Sequence, residues 1–234
     1  MSSTENSDQN PYAPTTIAGE SYDPVQAFGS PDALKRVATG LNLVYWSIAI
    51  ILLSVFGGIV LVAVGGATGN AFGLFGSVGL MLAGIMIGVI VGLVGRVFCL
   101  AVPEATEARS MIFGAVICDV LAILIPFAEM LTSVPVWFER IPNFLSLVSA
   151  ILFVIFMKRV ANFIHKTELA ERAQSLITLG LTMFVLAFLM VFAAALVGPA
   201  AALLVLVVIG VGLFMFLRYV RLLVDLRKAI LARD

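Results

Sequence analysis

A chain of 234 residues that is 62% hydrophobic and 12% charged lies far from an ordinary soluble domain, where about half the residues are apolar and about a quarter are charged. Fourteen Lys and Arg balance 14 Asp and Glu, so no net field directs the protein to nucleic acid or to an acidic substrate. Cys99 and Cys118 lack a CxxC spacing and His165 is solitary, which excludes a disulfide framework and a multi-histidine metal centre within one chain, although carboxylates still suit a hard cation.

Residues 1–32, "MSSTENSDQNPYAPTTIAGESYDPVQAFGSPD", are polar, net acidic and broken by Pro and Gly. They lack the basic start and apolar core of a secretory signal and read as a disordered cytoplasmic tail. Its "NPYAP" suits a polyproline-type ligand, but a linker or spacer role is the simpler expectation.

The hydrocarbon core of a bilayer, about 30 Å thick, needs about 20 apolar residues in helix. Six stretches meet or approach that length, near 41–64, 74–101, 110–131, 142–163, 174–196 and 199–222. The expected fold is an all-α membrane bundle of six transmembrane helices over residues 33–223, followed by a basic helix end at 224–234. In "VGPAA", Gly198 and Pro199 offer a helix stop and a new first turn between the last two spans.

Short-loop Lys and Arg resist translocation and so set orientation. Of the 14 basic residues all but Arg140 fall on one side of this six-span arrangement, which predicts cytoplasmic N- and C-termini. Trp137 at one boundary and Tyr45, Trp46 and Tyr219 at the other suit aromatic belts. The even spans end in "GRVFCL", "KRVANF" and "RYVRLL", which place Val97, Val160 and Val220 63 and 60 residues apart. Three tandem hairpins would give this pattern. So would any row of membrane hairpins that obeys the charge rule, and the basic helix ends themselves suit anionic lipid head groups.

In the second span, Gly84, Gly88 and Gly92 recur at intervals of four. Between lipid-embedded helices little hydrophobic drive exists, so such a seam lets backbones approach and gain dispersion contacts. The next step of four is Arg96, which this reading aims at whichever helix packs on the glycines.

The third span contains "ICDVLAILIPFAEML", an apolar run holding two acids. Ala115, Asp119, Ala122, Pro126 and Glu129 follow steps of 4, 3, 4 and 3, and share one face, while Phe113, Ile117, Leu121 and Leu124 cover the other. This is the placement expected when ionisable residues look into a bundle. An Asp near mid-span costs about 2.5–3.5 kcal/mol on an insertion scale, and the surrounding Leu, Ile, Val and Phe return roughly 3–6 kcal/mol. The helix inserts, but Asp119 needs a partner.

With 1.5 Å of rise per residue, Arg96 lies about 9 Å and Asp119 about 15 Å inside the basic boundary, within reach of long side chains. Three readings stay open: a structural Arg96–Asp119 ion pair, a protonatable or cation-binding Asp119 assisted by the Ala122 carbonyl that Pro126 frees, and a lone acid satisfied without the arginine. Glu129 near the opposite boundary suits a rim pair with Arg140. Asn143, Ser146 and Ser149 form a polar edge on the fourth span suited to hydrogen bonds across helices, and Ser47 and Ser54 in the first span fit the same role.

Catalytic patterns are missing. The chain has no HExxH, no Ser with a His at membrane depth, no Walker A loop and no GxGxxG at a strand-helix junction. "PEATEAR" holds Glu104, Glu107 and Arg109, which suit charge pairing at the membrane surface. Enzyme activity, a metal and a cofactor are not expected.

The "NPY-x-P" tail, "CLAVPEATEARSMIFGAVI" and "MKRVANFIHKTELAERAQSLITLG" together resemble a group of polytopic membrane proteins of planctomycete-type bacteria. The resemblance implies a location in the bacterial inner membrane and supplies no substrate or catalytic residue. The expected function is a non-enzymatic scaffold or accessory subunit whose partners are the bilayer, anionic lipids and a further protein or second copy, with no nucleic acid. The alternative is a small proton- or cation-coupled transporter that uses Asp119.

Overall fold

The computed structural model describes residues 31–67, 71–131, 140–197 and 201–232, which are helical almost throughout. The tail with "NPYAP", Gly198, Pro199, Trp137, Arg233 and the side chain of Glu129 lie outside the described residues. So does any test of the rim pair between Glu129 and Arg140.

Among the described residues six helices follow one another: α1 Pro31–Ala67, α2 Ala71–Cys99, α3 Arg109–Leu131, α4 Ile141–Phe163, α5 Thr167–Val197 and α6 Ala201–Leu231, with a 3-10 turn at Glu104–Thr106. The protein is an all-α helical bundle. Among the described residues four helices, α1 to α4, are long and apolar enough to cross a bilayer. Their outer faces stay uncovered, with Leu53 76%, Phe56 65%, Leu80 64% and Phe75 82% exposed. Surfaces this apolar need a lipid solvent, so the chain is a multi-pass membrane protein.

Each helix packs on its neighbour in the chain, and α6 returns to α1, so the bundle closes as a ring. Among α1 to α4, the last is the most enclosed: 39% of its apolar stretch is buried, against 6% for α1 and 11% for α2 and α3.

The helices run past the apolar stretches at the basic end. Pro31 and Asp32 open α1, the first supplying a preset backbone angle and the second a charge that suits the helix dipole. At 37 residues α1 is about 55 Å long, well beyond the hydrocarbon thickness. The projecting turns are amphipathic. Val37, Leu41 and Val44 from α1, Leu169 and Ala173 from α5, and Leu223, Leu226 and Ile230 from α6 are all buried, with Cys99, Ile112, Phe156 and Val160 among them. Where this end meets water, each Leu or Ile side chain buried contributes about 1.5–3 kcal/mol.

Two short connections fix this end. Glu107, at φ 49°, stops the 3-10 turn, and its N–H donates to the Glu104 carbonyl. His165, at φ 55°, ends α4. There the Lys166 N–H donates to the Ala161 carbonyl at 3.0 Å, which satisfies a helix-end acceptor. Of the "PEATEAR" charges, Arg109 pairs with Glu104, and Arg159 from α4 reaches Glu107 Oε2 at 3.5 Å.

The glycine seam packs α2 on α1. A Cβ on Gly84 would strike the Ser54 side chain, one on Gly88 would strike Ile51, and one on Gly92 would lie 3.0 Å from Ser47 Oγ. The closest backbone-to-backbone approach is one the GxxxG spacing leaves out: a Cβ on Gly95 would stand 2.8 Å from the Gly40 carbonyl oxygen, and one on Gly40 2.5 Å from that of Gly95.

Arg96, by contrast, does not follow the seam onto α1. At about 100° per residue, each step of four drifts about 40°, so three steps from Gly84 turn Arg96 about 120° away. Gly95 lies eleven residues from Gly84, very nearly three full turns, and keeps the contact with α1.

The hairpin pattern does not give equivalent environments. Val97 is 47% exposed where Val160 is buried. Arg96 points inward, Arg159 meets the surface acid Glu107, and Arg218 lies over the Phe214 ring.

Candidate functional site: an ion pair at the floor of a cavity

Three helices meet at Arg96. Turned off the α1 seam, its guanidinium crosses to α3 and forms an ion pair with the Asp119 carboxylate through Nη1 and Oδ2. The same Nη1 donates to Ser149 Oγ on α4 at 2.7 Å. Ser149, fully buried, in turn donates its hydroxyl to the Ala115 carbonyl at 3.1 Å. Ala115 and Asp119 are four residues apart, one turn along α3, so a single face of α3 supplies both acceptors.

The aromatic wall of α4 completes the arrangement. The Arg96 guanidinium carbon lies 5.1 Å from the centre of the Phe153 ring, within cation–π range. Phe153 stacks on Phe156 at 5.7 Å and meets Tyr219 of α6 at 6.5 Å. Arginine suits this position because its planar fork holds several acceptors while its face meets a ring.

Immediately above the pair, away from the basic end, the helices line a partly open cavity of about 720 Å³. All six helices line it, from Val44 to Ile51 on α1, Gly88 to Arg96 on α2, and Gly212 to Tyr219 on α6. Eight residues of helix rise about 11 Å, so the cavity is at least two turns tall. Its wall is apolar except near Arg96, Asp119, Ser47, Ser146 and Tyr219. Below the pair, the buried cluster of Leu41, Cys99, Ile112, Phe156, Met157 and Leu223 closes the basic end.

Pro126 lies inside α3. It has no N–H to give, which leaves the Ala122 carbonyl without its helical donor, and Ala122 lines the cavity.

The polar edge of α4 divides in two. Ser149 does bond across helices, but Ser146 returns its hydroxyl to the Pro142 carbonyl of its own helix and Asn143 is exposed. Ser47 and Ser54 likewise donate to their own helix, at Val44 and Ile50. Each of these hydroxyls finds a carbonyl one turn back, the nearest acceptor a hydroxyl on a membrane helix has. The outward face of α3 is where its periodicity puts it: Phe113, Ile117, Leu121 and Leu124 are all exposed.

Phe153, Tyr219, Gly40 and Gly95 carry site or seam contacts that spacing alone did not reveal. The one usable signal was the Gly95–Arg96 dipeptide, a residue suited to close approach beside a charge at membrane depth.

Among the described residues no group of three or more His, Cys, Asp or Glu side chains is placed to hold a metal ion. The chain is a multi-pass helical membrane protein without a recognisable catalytic motif. It matches no protein-family model, no curated protein and no solved structure.

Proposed function

We propose that this chain is a non-enzymatic scaffold or accessory subunit in which all six helices span the membrane as three sequential hairpins, with both termini in the cytoplasm. The observation that carries the reading is the closed Arg96–Asp119 pair, anchored by Ser149 above a packed core. A guanidinium in contact occupies the carboxylate with a cation of the chain itself, an arrangement suited to holding helices together. The pair ties α2, α3 and α4 together at the level where the cavity begins. Its role is to fix the bundle.

In this reading residues 1–32 form a cytoplasmic tail and 33–223 the membrane domain. The exposed cations Arg221 and Lys228 near the end of α6 suit anionic lipid head groups. The bilayer is the first partner, and a further protein or a second copy is what a scaffold would hold. The bacterial inner membrane implied by the sequence resemblance is the proposed location.

A double-mutant cycle tests the reading. Arg96→Ala and Asp119→Ala should each impair folding, while the combined variant recovers most of the loss, since removing one partner leaves an uncompensated charge and removing both does not. The second reading, a proton- or cation-coupled transporter, draws on the position of Asp119 in the cavity wall. Purified protein in liposomes loaded with a pH-sensitive dye decides between them. A folded Asp119→Asn variant that abolishes a proton flux present in the parent overturns the scaffold reading.

A further inference from the structure

The cavity has the attributes of a ligand site and not of a packing defect. At about 720 Å³ it falls in the range of about 300–1,000 Å³ typical of small-molecule pockets, and like them it pairs an apolar wall with a few convergent polar groups. Small side chains make the room: Gly180 and Gly212 line it, and a Cβ built on Gly212 would meet no atom within 4 Å.

The polarity has a direction. The lining on each helix starts near the level of Arg96, Asp119 and Tyr219 and runs away from the basic end, through Ile51, Gly88 and Met183. The basic end is closed by packed side chains. A molecule inside therefore keeps its polar end on the floor and its apolar part above. In the proposed orientation, an amphiphile from the cytoplasmic leaflet lies the same way.

The floor also selects for charge. Arg96 and Asp119 neutralise each other, so a ligand bearing net charge would enter the wall of the bundle without a counterion, which is costly in apolar surroundings. Neutral hydrogen-bonding groups face no such penalty. Both hydrogen bonds that Arg96 makes among the described residues pass through Nη1, and neither uses the Nε and Nη2 donors of the guanidinium fork. The Ala122 carbonyl adds an acceptor.

We propose that the cavity binds a long-chain, electrically neutral amphiphile taken from the bilayer, its chain along the wall of α1, α5 and α6 and its hydroxyl or amide head on the Arg96–Asp119 floor. This rests on the pair being closed and neutral, which the double-mutant cycle tests separately. The occupant is a resident or carried lipid-like molecule, and the chain as a whole acts as its holder.

Three probes share one chain and differ in head charge: monoolein, oleate and oleylamine. Full-length protein in a mild maltoside detergent, titrated with each and read by native mass spectrometry, is expected to retain monoolein at least tenfold more tightly than either ion. Asp119→Asn turns the floor cationic and should shift the preference at least tenfold toward oleate. Gly212→Phe fills the cavity without touching the pair and should abolish retention of monoolein while the protein stays monodisperse. Equal retention of all three probes by the parent overturns the proposal, as does unchanged monoolein binding in Gly212→Phe. If Asp119→Asn does not fold, a diazirine-bearing monoacylglycerol serves in the parent: labelling at Met183, Met215 or Phe216 supports the site, and labelling confined to outward residues such as Leu213 and Phe113 overturns it.

Discussion

Arg96 donates to Ser149 Oγ at 2.7 Å across the boundary between α2 and α4, and the Ser149 hydroxyl donates in turn to the Ala115 carbonyl of α3. One hydroxyl thus joins a charged side chain to a backbone acceptor on another helix. Ser149→Ala should destabilise the protein by about 1–3 kcal/mol, because it removes a buried partner from both groups at once. Ser149→Thr, which keeps the hydroxyl, should lose less. Urea or thermal unfolding in detergent, followed by circular dichroism, reads both values. A neutral Ser149→Ala would mean that the hydroxyl does not hold the pair.

The fork of Arg96 matters beyond its charge. Arg96→Lys keeps a cation beside Asp119 but replaces a planar donor set and a face over Phe153 with a compact ammonium. It should fall between the parent and Arg96→Ala in stability, the latter losing about 3–5 kcal/mol as the cost of an uncompensated buried acid. Equal stability of Arg96→Lys and the parent would reduce the site to a simple charge contact.

The α1–α2 seam predicts an asymmetry among glycines. Gly95→Ala and Gly40→Ala would push a methyl against a backbone carbonyl, which cannot rotate away, and each should cost about 1–3 kcal/mol. Gly57→Ala, whose Cβ would meet nothing within 4 Å, should be neutral or stabilising by up to about 1 kcal/mol through helix propensity. The same unfolding assay compares the three. Reversal of this order would discard the seam.

The end of α6 belongs to the core, so its apolar residues should behave as core residues. Leu226 is fully buried, and Leu226→Ala should lose about 2–5 kcal/mol. The surface pair between Arg172 and Asp225 at 3.1 Å is a control from the same turns: Asp225→Ala should cost less than about 1 kcal/mol.

Orientation has its own test. Single cysteines placed at Lys166 and at Arg140, in a background with Cys99 and Cys118 replaced by Ala, should react with an impermeant maleimide from opposite sides of the membrane in oriented vesicles. The basic-residue rule puts Lys166 on the cytoplasmic side. Labelling of both from one side would break the proposed topology.

The helical membrane class, the approximate positions of the apolar stretches and the outward face of α3 were legible in the sequence. Composition and periodicity report directly on solvent, and lipid tolerates no unsatisfied backbone and few charges. The burial of Leu169, Leu226 and Ile230 was not legible, because the charged residues around them lower the mean hydropathy of any window long enough to detect a span. The amphipathic pattern was present, but it identifies a buried face only once neighbouring helices are known.

Spacing alone settled that Asp119 looks into the bundle with small residues beside it, since that follows from the pitch of one helix. Only the tertiary structure decided what it meets there. Arg96 turned off the glycine seam through the drift of about 40° per four residues, Ser149 arrived from a helix distant in sequence, and the gap above them opened because α1, α5 and α6 pack around it with glycine at Gly180 and Gly212. Contacts between helices depend on how each is rotated and which neighbour it faces, and a single sequence states neither.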